Sequence, residues 1–164
     1  MMAETDRIRV RPLIEDDLAA YQRLSALPET AAANDDAAIT SRAPSLLATW
    51  FEADRHSPFA FAVLDRRHQR FIGAVLYYRH RGSASDAYDL GYFLDPAVWG
   101  QGLMPAAIRA SLSLIRRETD RPLTIWAACR PENHRSQRVL AKLGFLPQGL
   151  ASADRQWFRL VVAA

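Results

Sequence analysis

Asp89-Leu90-Gly91-Tyr92-Phe93-Leu94 is an apolar run broken by one acid and one glycine. It passes through Asp95-Pro96-Ala97-Val98-Trp99-Gly100-Gln101-Gly102 into Leu103-Met104-Pro105. The first part reads as a strand, the middle as a glycine-containing turn, and Leu103 as the start of a helix. Leu103, Ala107, Ile108, Ser111, Leu114 and Ile115 recur at helical spacing, which predicts a helix from about 103 to 119. The first turn of such a helix has backbone N–H groups without intrahelical partners, and its dipole favours an anion. Two glycines let the chain approach a phosphate closely. The loop has no Lys-Ser or Lys-Thr after its second glycine and no third glycine, so it is neither a nucleoside-triphosphate loop nor a dinucleotide fingerprint. Asp89 must be solvated, paired or shifted in pKa within its apolar run. Gly91 predicts a bulge or a close backbone approach.

Upstream of this unit, Phe59-Ala60-Phe61-Ala62-Val63-Leu64 and Phe71-Ile72-Gly73-Ala74-Val75-Leu76-Tyr77-Tyr78 flank the polar turn Asp65 to Arg70 and read as a hairpin. Both strands are apolar on two sides, so helices must cover both faces of a sheet. His80 follows next to two tyrosines, as a structural residue or one lining a cleft. The alternating Arg7-Ile8-Arg9-Val10-Arg11 is a further strand, ending at Pro12. Leu18, Tyr21, Leu24 and Leu27 mark a helix whose first turn holds Glu15, Asp16 and Asp17, acids that suit the dipole better than a metal. Residues 29–43 are small and polar and read as a mobile connection. A second helix follows Pro44, with Leu46, Leu47, Trp50 and Phe51 inward. Gly82-Ser83-Ala84-Ser85 is a loop.

Downstream, Leu123 to Ala128 is a strand and His134 to Leu143 a helix, with Gly144 in the left-handed position beyond its end. Strands from Phe145 and from Trp157 to Val162 complete the chain. The expectation is a mixed α/β (α+β) single domain over residues 1–164, with a central mixed sheet of about seven strands flanked by four helices.

Composition agrees with this and excludes several alternatives. A chain of 164 residues is about one domain's length and needs no metal or disulfide staple. With 49% hydrophobic and 24% charged residues it is not disordered. The single cysteine, Cys129, excludes a disulfide framework or a cysteine-ligated metal, and reads as packing. The start lacks a signal-peptide pattern, and no apolar run reaches a bilayer span of about 20 residues. A cytoplasmic protein without membrane association, monomeric or homodimeric, is expected. The +3 net charge lies in the second half, where 10 basic side chains face 7 acidic ones; the first half has 11 of each. That is too dispersed for nucleic acid but compatible with a phosphate-bearing ligand.

Two blocks of the sequence resemble the GNAT N-acetyltransferase superfamily, in its RimJ/RimL-type branch. The first is Asp89-Leu90-Gly91-Tyr92-Phe93-Leu94-Asp95-Pro96 with Trp99-Gly100-Gln101-Gly102. The second is Asn133 through Ser136 with Arg138-Val139-Leu140 and Lys142-Leu143-Gly144-Phe145. They stand in the family's order and spacing, and the opening Arg9-Val10-Arg11-Pro12-Leu13 with Glu15-Asp16-Asp17-Leu18 is also similar. The resemblance implies acetyl-CoA as donor and no metal. It implies that amides from Gln101 to Met104, in the loop Trp99, Gly100, Gln101, Gly102, Leu103 and Met104, cradle the pyrophosphate. The fourth strand, bulged near Gly91, would splay from the fifth to make a slot. There, backbone groups around Phe93 and Leu94 would hold pantetheine and Asn133 the cofactor arm. Arg138 would reach a phosphate or form a helix-surface salt bridge.

The resemblance also implies direct transfer in a ternary complex. Asp89 is a candidate general base, or a structural carboxylate, and Ser136 is a candidate acid for the leaving thiolate. Three departures from the family pattern stand out: Asp89 where Glu is usual, Met104 and Pro105 in the phosphate loop, and a shortened C-terminal end. The acceptor implied is a protein or peptide N-terminal amine. The alternatives are a small-molecule amine (polyamine, amino acid or antibiotic), or a module that binds CoA without catalysis. Asn34-Asp35-Asp36 is the one hint of an acidic cleft.

Overall fold

A computed structural model describes residues 1–33, 43–83 and 86–164. Most of the 29–43 connection, its Asn34-Asp35-Asp36, and Ala84-Ser85 of the loop lie outside the described residues. The strands are β1 (Ala3–Glu4), β2 (Ile8–Pro12), β3 (Phe59–Asp65), β4 (Arg70–Arg79), β5 (Ala87–Leu94), β6 (Leu123–Cys129), β7 (Leu146–Ser152) and β8 (Arg155–Val162). The helices are α1 (Leu18–Ser25), α2 (Pro28–Ala33), α3 (Pro44–Arg55), α4 (Leu103–Arg116) and α5 (His134–Leu143). One sheet holds all eight strands in the order β1-β2-β3-β4-β5-β6-β8-β7. Every neighbouring pair is antiparallel except β5 and β6. Helix α4 lies between those two in the chain, as a parallel pair requires.

The mixed α/β single sheet agrees with the expected architecture, with one more strand and one more helix. Strand β1 has two residues, too few to show a period, and pairs with β2 at Ala3↔Val10 and Glu4↔Arg9. Helix α2 forms where a connection was expected, because Pro28 stands at its first position and alanines follow. Two clusters fill the faces. Val75 and Tyr77 of β4 join Leu103, Ile108, Leu114 and Ile115 of α4 on one side. Phe71, Ala74 and Leu76 join Tyr21, Leu24 and Phe51 of α1 and α3 on the other. This is why β4 is apolar throughout.

The splay is present, and it arises differently from the expectation. β5 and β6 pair only at Ala87↔Thr124, Tyr88↔Ile125 and Asp89↔Trp126, and beyond these they diverge. No bulge breaks β5 at Gly91: its register against β4 is continuous from Gly73↔Leu94 to Arg79↔Tyr88. The irregularity sits one strand over. Opposite Val63 and Leu64, β4 carries the extra residue Ile72 between Phe71 and Gly73. Gly91 instead serves close approach, since a Cβ there would lie 3.3 Å from Tyr78 Cε2.

Gly73 is the tighter position. A Cβ on it would stand 2.3 Å from the Phe93 carbonyl oxygen and 3.1 Å from Leu94 Cα, both backbone atoms. Gly73→Ala therefore has to push β4 and β5 apart. We expect it to cost about 3 kcal/mol and to lower Tm by roughly 10 °C. Gly91→Ala meets only a ring edge that can shift, and a thermal melt of the pair should show the smaller loss at Gly91.

Candidate active site

Where β5 and β6 part, a cavity of about 640 Å³ opens through the sheet. One half lies against α4 and α5, lined by Leu103, Met104, Ser136, Arg138, Val139 and Lys142. The other lies against α1, α2 and α3, lined by Tyr21, Ser25, Thr30, Trp50, Asp54 and Tyr78. Backbone direction alternates along β5. Asp95 N–H donates to Ile72 C=O and Ala87 C=O accepts from His80, so the odd-numbered residues face β4. The backbone groups of Tyr92 and Leu94 then face the gap. Phe93, expected to offer a backbone group there, has its carbonyl turned to Gly73 and supplies a ring to the α1 side. The Leu94 carbonyl accepts from Trp99 Nε1 at 2.9 Å, which clips the loop to the end of β5.

Gly100 and Gly102 both take positive φ, 76° and 72°, and Gly102 caps α4 without any side-chain bond to its first turn. The amides of Leu103 and Met104 thus begin α4 uncapped, while Pro105 contributes none. Gln101 is turned away from the cavity. Its backbone carbonyl accepts from Arg7 Nη1 at 3.0 Å and its side-chain oxygen from Arg7 Nη2, which ties the loop to the residue before β2. Along α5, Arg135, Arg138 and Lys142 recur on one face and line the cavity's mouth. Among the described residues Arg138 is in no ion pair, so the salt-bridge alternative does not arise. Arg135 lies over the Trp99 ring at 3.6 Å from its centroid. A helix N-terminus with free amides beside three cations fits a di- or polyphosphate. Arg7, Arg135 and Lys142 were not singled out from the sequence; the 135-138-142 spacing on one helix was the available signal.

Asn133 caps α5, its Oδ1 accepting from Ser136 N–H at 3.1 Å. That leaves the Ser136 hydroxyl for another partner, and it lies 2.5 Å from the Tyr92 hydroxyl across the gap. Burial pushes the Tyr92 phenol up to about 12, against the opposing bond to Ser136. Tyr92 therefore stays protonated at neutral pH and can keep donating. Cys129 is buried at the end of β6 and lines the same space.

Asp89 stands at the apex of the splay and does not line the cavity. Its carboxylate is 2.5 Å from His80 Nδ1. The His80 ring stacks on Trp126 (4.9 Å, 10°) and meets Trp157 edge-on. The structure joins His80 and Asp89, which the sequence left separate.

The other half of the cavity holds a carboxylate that sequence analysis passed over. Asp54 is 9% exposed, with one oxygen accepting from Tyr21 at 2.6 Å and the other from Tyr78 at 2.5 Å. Nothing in the helical pattern of α3 sets this residue apart; only the tertiary fold brings two tyrosines to it.

The profile of the Acetyltransferase (GNAT) domain family matches residues 7–146. A probable N-acetyltransferase, YjcK, of Bacillus subtilis is 34% identical over 99 residues, covering 60% of this chain and 54% of the relative. The [ribosomal protein uS5]-alanine N-acetyltransferase of Escherichia coli is 34% identical over 113 residues, covering 66% and 57%. The chain thus spans little more than half the length of the curated relatives it matches. Among solved structures, the ribosomal-protein-S5-alanine acetyltransferase of Vibrio fischeri superimposes with a TM-score of 0.76 at 24% identity, covering 98% and 96%. RimL, described as a ribosomal L7/L12 alpha-N-protein acetyltransferase in complex with coenzyme A, gives 0.80 at 15%, covering 99% and 98%. The chain belongs to the GNAT acetyltransferase family.

Burial holds the Asp54 carboxyl above its ordinary value, against the pull of the two phenols. A folded-state pKa above the unfolded one means that the group's stabilisation is present below the unfolded pKa and is lost as pH rises through the folded one. Asp54→Asn removes the charge and keeps one oxygen to accept from a phenol, while its Nδ2 donates to the other phenol oxygen. It should match the wild type in acid and melt a few degrees higher above the carboxylate range, in melts recorded across pH.

Proposed function

We propose that the chain transfers the acetyl group of acetyl-CoA directly to a primary amine within a ternary complex, the amine being a protein or peptide N-terminus. The observation that carries this reading is the cavity itself. It runs from the uncapped start of α4, through the gap between β5 and β6, to a second, differently lined half against α1, α2 and α3. Membership of the GNAT family supports the donor. The uS5-alanine enzyme among the relatives, and RimL among the neighbours, support an N-terminal acceptor.

Bound acetyl-CoA supplies an activated thioester. The amides of Leu103 and Met104, with Arg135, Arg138 and Lys142, hold its phosphates; Gln101 contributes through its backbone alone. Backbone groups of Tyr92 and Leu94 orient the pantetheine arm along β5, and Asn133 steadies the start of α5 beside it. Tyr92 donates to Ser136 Oγ, which turns the Ser136 proton toward the departing thiolate, whose ordinary pKa of about 8.5 demands little help. Asp89 accepts the Nδ1–H of His80 and so leaves Nε2 as the basic nitrogen. Neither residue lines the cavity, so the amine's proton reaches this pair through water. An α-amine, with pKa about 7.7–8.0 against about 10.4 for lysine, suits so indirect a base.

Ser136→Ala, Tyr92→Phe and Asp89→Asn should each lower kcat by about tenfold or more. Acetyl-CoA affinity measured by calorimetry should stay within about twofold, since transition-state contacts alone are removed. Wild-type turnover in Ser136→Ala and Asp89→Asn together would sink the assignment of acid and base. Absence of calorimetric acetyl-CoA binding to the wild type would sink the acetyltransferase reading.

A further inference from the structure

The half of the cavity against α1, α2 and α3 is not explained by donor binding. Its base is Asp54, buried on α3, with one oxygen bonded to Tyr21 and the other to Tyr78. Among the described residues no cation pairs with it. Tyr21 is wedged edge-on between Phe51 at 5.1 Å and Phe93 at 5.5 Å, so the phenol cannot swing away cheaply. Tyr78 lies over Gly91, which connects the carboxylate to β5 at the gap. A buried carboxylate held by two neutral donors and no counter-ion is costly for a protein to keep without a ligand.

A second observation is independent of the first. Thr30 on α2 is 2% exposed and lines the same half of the cavity, yet among the described residues its hydroxyl has no hydrogen-bond partner. Buried hydroxyls are nearly always paired, so one left without a partner in a cavity wall has a place for a polar atom that a ligand can supply. Trp50, one turn before Asp54 on α3, and Ser25 complete the wall.

We infer that Asp54, fixed by Tyr21 and Tyr78, is the carboxylate that receives the acceptor's ammonium group, and that the Thr30 hydroxyl pairs with the first carbonyl beyond it. This rests on the proposed acetyl transfer to an N-terminal amine and names the residues that select such an acceptor. The chemistry recognised is an ammonium with an amide carbonyl on the adjacent carbon, which is what a peptide N-terminus presents. Docking is non-covalent: the ammonium arrives charged, meets the only carboxylate in the cavity wall among the described residues, and gives up its proton after binding. Asp54 is a specificity-determining residue here, with the acid–base steps left to the groups named above.

The test uses the full chain and three small probes: L-alaninamide (ammonium and amide), ethylamine (ammonium alone) and lactamide (amide with a hydroxyl replacing the ammonium). Saturation is followed by NMR titration at millimolar concentration. The wild type should bind alaninamide best and lactamide weakly. Asp54→Asn should weaken alaninamide about thirtyfold or more, the expected consequence of removing one member of a buried charge pair. Thr30→Val should weaken alaninamide by about three- to tenfold and leave ethylamine unchanged, because only the amide contact is lost. A purely structural Thr30 would raise Tm on replacement without moving either affinity.

Equal binding of alaninamide by the wild type and Asp54→Asn overturns the inference, as does equal wild-type affinity for alaninamide and lactamide. No saturable binding by the wild type overturns it in either case. Peptide acetylation with the same acceptor KM in Asp54→Asn leaves the acetyltransferase reading standing and removes this inference alone. Asp54-dependent ammonium binding in a protein that transfers no acetyl group does the reverse.

Discussion

Two parallel strands that stop pairing after three residues are the constraint on which the rest of this molecule depends. β5 and β6 are held at Ala87, Tyr88 and Asp89, and each then takes its own course. Backbone groups turned into the gap cannot be satisfied by the sheet, so they must meet a side chain, as the Leu94 carbonyl meets Trp99 Nε1, or a ligand or water. Strand β5 can afford to leave β6 because its other edge is locked to β4 over its whole length. That lock is itself tight: the extra residue in β4 and the bare Cα of Gly73 let the Phe93 carbonyl come in close. A gap in the middle of the sheet is thus stabilised from one side only.

The helices around the gap divide the labour by charge. Helix α4 brings an uncapped N-terminus and α5 three cations, so one half attracts anions. The other half contains a carboxylate, two tyrosines, a threonine and a tryptophan from α1, α2, α3 and β4. Between them, Tyr92 reaches from β5 to Ser136 on α5 and bridges the opening. Polar groups buried in this way weaken a fold unless they are paired. Among the described residues of the cavity wall most are paired with one another, and the Thr30 hydroxyl is not. The arrangement is one cavity with two differently charged halves.

Much of the half against α4 and α5 was legible from the chain alone. The Gly100-Gln101-Gly102 turn, the periodicity of α4 and the Asn133-to-Ser136 block are local signals, and the local structure follows them. Asn133 caps α5 and Gly144 ends it in the left-handed region, as their residue types dictate. Other roles could not be read locally. Phe93 sits in the strand as expected, but which way its carbonyl points depends on its register with β4. Gly91 signalled either a bulge or close contact, and the ring of Tyr78, from another strand, decided for contact. His80 and Asp89 are nine residues apart and meet only because β4 and β5 are antiparallel neighbours.

Sequence by itself determined the single mixed sheet, the glycine turn that starts α4 and the resemblance to the family, because these rest on periodicity, turn chemistry and motif spacing within short segments. Tertiary structure alone decided the surroundings of Asp54. Asp54 lies 33 residues from Tyr21 and 24 from Tyr78. A carboxylate on an ordinary amphipathic helix carries no mark of its fate until packing removes it from water and sets two phenols beside it. Burial and long-range pairing are properties of the assembled core, and no local pattern along α3 encodes them.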